Sequence, residues 1–221
     1  CFIFAPGGYD EPEILPPRNP QSVSQALTAN SFNRTWLEAS GSEDSHARTL
    51  WALGETARSD ATPSRRQWAA ALFAEALSTV ETFRSPRAWA FTLLGLGAYC
   101  AVAPDDLHAQ EIRHSLADRL MSCLASVETP DWVWFEEGLA YDNARLPQAL
   151  MMTGAATQTP EYVQAGLRSL RWLMTRQTTP AGHFRPVGTA GFGELRQLPR
   201  AFDQQPVEAT ATIAVTIPVR N

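Results

Sequence analysis

The residues able to do chemistry concentrate in one stretch, 131–150, which reads Asp-Trp-Val-Trp-Phe-Glu-Glu-Gly-Leu-Ala-Tyr-Asp-Asn-Ala-Arg-Leu-Pro-Gln-Ala-Leu. Aromatic, carboxylate, amide and guanidinium groups stand together just before an apolar run. That mixture suits a saccharide: aromatic faces cover the C–H faces of a pyranose, while carboxylates, amides and Arg hydrogen-bond its hydroxyls. Two carboxyl groups, one protonated and one ionised, can also move protons at a glycosidic bond when their separation is right. A plainer reading of the same residues stands beside this one. Trp132, Val133, Trp134 and Phe135 make a buried strand, and Asp142, Asn143 and Arg145 cap the helix that follows.

A second polar stretch, 178–202, is punctuated by Gly and Pro, with Gly182-His183-Phe184-Arg185-Pro186-Val187-Gly188 and then Gly191-Phe192-Gly193. It is too long for a plain connector and reads as a functional loop. It leads into Phe202-Asp203-Gln204-Gln205-Pro206-Val207-Glu208. The pool of acid/base groups is Glu136, Glu137, Asp142, Asp203 and Glu208, of which Asp142 and Asp203 are favoured because both precede expected helices. The residues expected to contact substrate are Asp44, Arg48, Trp132, Trp134, Glu136, Tyr141, Asn143, Arg145, His183, Arg185, Gln204 and Gln205.

The elements that must position these groups are helices. Residues 1–41 read as an extended, Pro-rich lead-in. Ser42-Glu43-Asp44-Ser45 opens the first helix, Thr62-Pro63 the second, Ser85-Pro86 the third, Asp105-Asp106 the fourth and Thr159-Pro160 the sixth, each with an N-cap residue or an early Pro. The fifth helix runs through Gln148 to Ala156 after a Trp-rich strand. The second helix carries an apolar stripe of Trp68, Leu72, Ala76, Val80 and Phe83, the fourth one of Ile112, Leu116, Leu120 and Leu124, and the sixth one of Val163, Leu167, Leu170 and Met174. The third, by contrast, has no charge over 88–103 and must be surrounded by protein. Apolar odd helices alternating with striped even ones place one helix of each hairpin inside and one outside, as in an α/α toroid. All inner helices then run the same way, and their N-termini gather the polar residues at one end. Asp203 and Pro206 begin a fourth inner helix, but the β-branched segment 209–221 reads as strand-like.

At 221 residues and 44% hydrophobic, the chain is sized for one core. Net charge is −5 and the basic residues are all Arg, with no stripe that argues for nucleic acid. No apolar run reaches the roughly 18–20 residues of a membrane span. Cys1, Cys100 and Cys123 are odd in number and scattered, which favours a reducing, cytoplasmic setting over a disulfide framework. A leading Cys without Met reads as the start of a fragment rather than as an acylated anchor. No spacing suggests a metal site or a cofactor.

Ser42-Glu-Asp44, Arg48, Leu50-Trp-Ala-Leu-Gly54, Trp134-Phe-Glu136, Tyr141-Asp-Asn143, Arg145-Leu-Pro147, Gly182-His-Phe184, Pro186-Val-Gly188 and Phe202-Asp-Gln-Gln-Pro206 occur in that order. With these motifs the chain resembles the bacterial six-hairpin, glycosidase-like α/α-toroid proteins often encoded with, or described as, glycosyltransferases. The resemblance covers about residues 32–208 and implies carbohydrate metabolism on an (α/α)6 toroid. The chain supplies three hairpins and the start of a fourth, so the expectation is an incomplete toroid over 42–208, followed by an atypical tail, 209–221.

Two functions from different classes follow. One is a carbohydrate-active enzyme of the glycoside-hydrolase kind. The other is a non-catalytic saccharide-binding or scaffold domain serving a glycosyltransferase, since no Gly-rich loop joins a strand to a helix for a nucleotide-sugar. A sugar epimerase would need paired His, and only His183 lies in a candidate loop, whereas His46, His108 and His114 read as surface or helix-face residues.

Overall fold

A computed structural model describes residues 41–189, 195–197 and 202–216; the lead-in through residue 40, Gly191-Phe192-Gly193 and 217–221 lie outside the described residues. The described residues are all-α. In chain order the helices are α1 (Glu43–Ser59), α2 (Pro63–Leu77), α3 (Pro86–Cys100), α4 (Leu107–Val127), α5 (Arg145–Thr157), α6 (Pro160–Arg176) and α7 (Pro206–Thr216). A 3-10 turn, Ser78–Thr82, extends α2. Among the described residues β pairing is limited to isolated bridges.

The helix starts follow their caps. The Ser42 hydroxyl accepts from Ser45 N–H at 3.1 Å, the Ser85 hydroxyl from Ala88 N–H at 3.4 Å, and the Asp106 carboxylate from Ala109 N–H at 3.0 Å, each satisfying a donor the helix cannot. Pro opens α2, α3 and α6. Hairpins α1/α2, α3/α4 and α5/α6 pack within themselves, and the odd helices also pack in sequence, α1 on α3, α3 on α5 and α5 on α7. They form one layer with the even helices against its outside. Residues 88–96 and 98–100 of α3 are buried nearly all round, as its lack of charge requires.

Two glycines let α1 and α3 touch backbone to backbone. A Cβ on Gly54 would stand 2.4 Å from the Gly95 carbonyl oxygen, and one on Gly95 would stand 2.8 Å from that of Leu50. Leu53-Gly54 and Leu94-Gly95 therefore serve as a packing device between α1 and α3.

Four local expectations hold only in part or not at all, for physical reasons. The face of α2 that packs is Ala69, Phe73 and Leu77, with Phe73 stacked on Tyr99 at 4.3 Å, while Trp68 is 48% exposed; of the expected stripe, Val80 and Phe83, beyond the end of α2, are buried. Two parallel apolar lines compete on this helix, and the flat Tyr99 ring selects the line carrying Phe. In α6 Leu170 of the expected stripe is buried and Met174 packs against the core, but the rest of the buried set is Tyr162, Ala165, Ser169 and Leu173, because the small residues Ala165 and Gly166 allow close approach to Pro147 and Met151 of α5. His46 is a helix-face residue of α1 rather than a surface one, and that face is buried: its Nε2 is 3.0 Å from the Ala76 carbonyl and its ring meets Phe83 edge-on. Finally, residues 209–216 are helical. Pro206 sets the first turn, Thr210 and Thr216 hydroxyls donate back to carbonyls one turn earlier, and Ala211, Thr212 and Val215 are buried. Burying one Val gains about 1.5–3 kcal/mol, more than the roughly 0.7 kcal/mol at most that a β-branched residue loses in a helix.

Candidate functional site

The segment between α4 and α5 divides into an aromatic half and a polar half. Thr129 and Trp132 exchange backbone hydrogen bonds at 3.0 and 3.1 Å, but no strand follows. The indole N–H of Trp132 donates to the Glu136 carbonyl at 2.7 Å, and that of Trp172 in α6 donates to the Asp131 carbonyl at 3.1 Å. Trp134 stacks on Trp172 at 5.7 Å, and Trp132 meets Trp172 edge-on at 4.8 Å. These contacts sink the aromatic half into the core and leave Glu136 to Arg145 to turn at the head of α5.

That turn is closed by Asn143. Its side-chain oxygen accepts from Ala140 N–H at 3.0 Å while its amide donates to the Ala140 carbonyl. The closure leaves Asp142 in the left-handed region, at φ 50°, which costs most residues energy but is tolerated by Asp and Asn. The Asp142 side chain does not cap α5. Its Oδ2 accepts from Arg48 Nη2 at 2.7 Å, and its Oδ1 lies 3.7 Å from Arg145 Nε.

The starts of all four odd helices meet here. The Glu43 carboxylate on α1 accepts from the backbone N–H groups of Arg84 and Ser85 at 2.9 and 2.8 Å, tying α1 to the head of α3. Asp44 takes hydrogen bonds from Arg48 Nε and from the Tyr141 hydroxyl, both at 2.8 Å. Arg87 on α3 donates through Nε to the Tyr141 carbonyl at 2.7 Å, through Nη2 to Asn143 Oδ1 at 3.1 Å, and through Nη1 to Glu136. Glu208 on α7 accepts from the backbone N–H and side-chain amide of Asn143 at 3.1 and 2.9 Å, and from Gln177 Nε2 at 3.2 Å. Arginines also stack on the aromatic rings: Arg48 lies 4.0 Å from the Phe91 centroid, Arg145 lies 4.8 Å from Trp51, and Arg87 lies 5.2 Å from Tyr141.

Burial tunes the titrating groups. It pushes the Glu208 carboxyl above the usual carboxylate range, opposed by the two Asn143 hydrogen bonds. Tyr141 is pushed up to about 12 by burial and by the Asp44 carboxylate. Arg145 is lowered by burial. For Arg48 burial works downward, but Asp44 and Asp142 outweigh it and hold the guanidinium more firmly charged.

Of the residues expected from sequence, Asp44, Arg48, Glu136, Tyr141, Asp142, Asn143 and Arg145 share this one hydrogen-bonded and ion-paired network. Trp132 and Trp134 do not present a face, being 5% and 0% exposed. Their indoles fill the α4–α6 core because three Trp rings bury more apolar area together than any one would against solvent. Asp203 is exposed, and its carboxylate takes the Thr189 hydroxyl instead of capping α7. Gln204 pairs with Gly188, where a Cβ would stand 2.2 Å from the Phe202 carbonyl oxygen. Gln204, Gln205 and His183 are exposed. Arg185 N–H donates to the Gln177 carbonyl at 2.7 Å, which fastens the 183–185 segment beside the network rather than within it. Among the described residues no hydrogen bond or ion pair joins Asp142 to Asp203.

Arg87, Glu208 and Gln177 belong to the network more fully than the sequence suggested. Arg87 had a signal, as the single charge at the head of an otherwise uncharged helix, where a cation opposes the helix dipole and so needs another purpose. Glu208 had a weaker one, an acid in the first turn of α7. Gln177 had none, since its role depends on the close of α6. A groove of about 720 Å³ lies elsewhere, between α3 and α4, lined by Trp89, Asp118, Arg119, Cys123 and serines of α4. No protein-family model matches the chain, and neither does any curated protein or solved structure, so the likeness to six-hairpin proteins rests on the sequence motifs alone.

Proposed function

We propose that this chain is a carbohydrate-active protein that recognises an oligosaccharide or polysaccharide at the rim formed by the starts of α1, α3, α5 and α7. The observation that carries the reading is the convergence of Asp44 and Arg48 of α1, Arg87 of α3, and Glu136, Tyr141 and Asp142 before α5, three separate segments, into one network with a partly exposed edge. Asp44 and Glu136 side chains are each 29% exposed and Arg48 is 37% exposed, so acceptors and a donor alternate where hydroxyls would approach. Tyr141 and Trp51, both half-buried beside the arginines, supply the apolar faces that Trp132 and Trp134 do not.

Between hydrolysis and recognition, the geometry favours recognition. Each rim carboxylate already serves a partner: Asp142 two arginines, Glu136 Arg87, and Glu208 the Asn143 turn. Asp203, the expected second catalytic carboxyl, is spent on Thr189. This supports the reading of a non-catalytic saccharide-binding domain serving a glycosyltransferase, and the unpaired thiols of Cys100 and Cys123 suit a cytoplasmic setting. Glycan-array binding followed by calorimetry tests the proposal, with Arg48→Gln beside wild type. Loss of a charged hydrogen bond of about 1.5–3 kcal/mol predicts affinity weakened roughly 10- to 150-fold. Turnover of the bound glycan, abolished in Asp142→Asn, would instead establish the hydrolase.

A further inference from the structure

Behind the rim, the Glu208 carboxyl on α7 is 0% exposed and has no ion pair among the described residues. What it meets are amides: Asn143 N–H at Oε1, and Asn143 Nδ2 and Gln177 Nε2 at Oε2. The charged groups that act on it pair elsewhere. Arg87 on α3 joins Glu136, and Arg145 on α5 joins Asp142. The close of α6 brings Gln177 alone, since Arg176 turns to the Asp131 carbonyl, and the loop that follows sets the Arg185 backbone N–H on the Gln177 carbonyl. α7 carries no second titratable group. Burial raises the Glu208 carboxyl; the Asn143 hydrogen bonds and Arg87 oppose the rise, and the Asp142 charge adds to it.

The two amides differ in what they are free to do. Asn143 Oδ1 accepts from Arg87 Nη2 and from Ala140 N–H, groups that only donate, so its Nδ2 must point at Glu208. Gln177 has no such constraint, because its Oε1 meets the Thr212 hydroxyl at 3.2 Å, and a hydroxyl donates or accepts. With Glu208 ionised, Thr212 donates to Gln177 Oε1 and Gln177 Nε2 donates to Glu208 Oε2. With Glu208 protonated at Oε2, half a turn of the Gln177 amide lets Oε1 accept the new O–H while Nε2 donates to Thr212. Either charge state is thus held with its facing polar atoms partnered, among three side chains on residues at most 4% exposed. We propose that Glu208, Gln177 and Thr212 form a proton switch behind the rim: Glu208 takes one proton from solvent and returns it while α7 stays docked, the Gln177 amide turning over each time. The hold on the Asn143 turn, and through it on Tyr141 and Asp142, is tighter in the ionised form, because a charged acceptor makes the stronger hydrogen bonds. Nothing in this switch depends on the rim binding a saccharide.

The test is a magnetic-resonance titration of the ¹³C,¹⁵N-labelled chain from about pH 4 to 8, reading the Glu208 carboxyl carbon, the Gln177 side-chain amide and the Asn143 backbone amide, with circular dichroism at each pH. The three signals should move together with one midpoint above the ordinary Glu value of about 4.3, at constant helix content. Gln177→Met keeps the length of the side chain and removes both of its hydrogen-bonding atoms. The ionised form then loses a charged hydrogen bond and the protonated form only a neutral one, so the midpoint should rise by about one pH unit. Where that variant does not fold, the wild-type titration decides alone. The switch is overturned by a Glu208 carboxyl that titrates at the ordinary value, that does not titrate in this range, that titrates only as helix content falls, or that titrates while the Gln177 amide stays still. An unchanged midpoint in folded Gln177→Met overturns it as well.

Discussion

Replacing Asp142 by Asn isolates one charge in a setting that allows its effect to be worked out. Asp142 is 1% exposed, receives Arg48 Nη2 at 2.7 Å, and lies 3.7 Å from Arg145 Nε. Asn keeps the shape and tolerates the left-handed backbone at φ 50°, so the turn survives. What is lost is the counter-charge of Arg145, itself only 8% exposed. Breaking a buried ion pair from one side costs about 3–5 kcal/mol. Arg145 keeps Gln148 and the Trp51 face, and Arg48 keeps Asp44, which places the loss at the lower end, about 3 kcal/mol. Asp142→Ala should lose roughly 1–2 kcal/mol more through the backbone. Urea unfolding followed by circular dichroism at pH 7 measures each value. In a cycle with Arg48→Gln the two losses should fall short of additivity by about 1–3 kcal/mol. A loss below about 1 kcal/mol for Asp142→Asn, or additivity within about 0.5 kcal/mol, would refute the network as a coupled unit.

Three further outcomes are expected. Gly95→Ala should destabilise by about 1–3 kcal/mol despite its better helix propensity, because its Cβ meets α1 backbone, whereas Gly97→Ala, with nothing within 4 Å, should gain up to about 1 kcal/mol; urea titrations of the pair read the contrast. Because burial raises the Glu208 carboxyl, the native state holds that proton more tightly than the unfolded chain does. Its contribution is full below the ordinary Glu value of about 4.3 and is lost as pH rises through the folded value, so wild-type stability relative to Glu208→Gln should fall across that window in melts from pH 4 to 8. An opposite slope would mean that the carboxylate is the favoured form in the fold. Trp134→Phe should lose on the order of 1–3 kcal/mol of stability while leaving glycan affinity within twofold, since Trp134 is core; a large affinity loss at full stability would restore it as a sugar platform.

The helix order and the polar rim were legible in the sequence because both are local. Caps at Ser42, Ser85 and Asp106 start helices wherever they stand, and consecutive hairpins oblige the odd helices to run alike. The roles of Trp132 and Trp134 were not legible, since a Trp beside acidic residues looks the same whether its ring meets sugar or another Trp from α6. The same holds for Asp142, whose partner Arg48 lies on α1, and for Glu208, whose carboxylate reaches Asn143 from α7. The helical state of 209–216 was hidden for the opposite reason: its local β propensity is real and is outweighed by the burial of Ala211 and Val215.

Saccharide recognition at the rim is measured by an amide ¹H–¹⁵N correlation spectrum of the chain titrated with the tightest-binding oligosaccharide from the glycan array. Binding at the rim should shift the amides of Asp44, Arg48, Arg87, Glu136, Tyr141, Asp142 and Asn143, three separate segments moving together with one dissociation constant. Shifts confined to Ser115, Arg119 and Ser122, in the groove between α3 and α4, would contradict it.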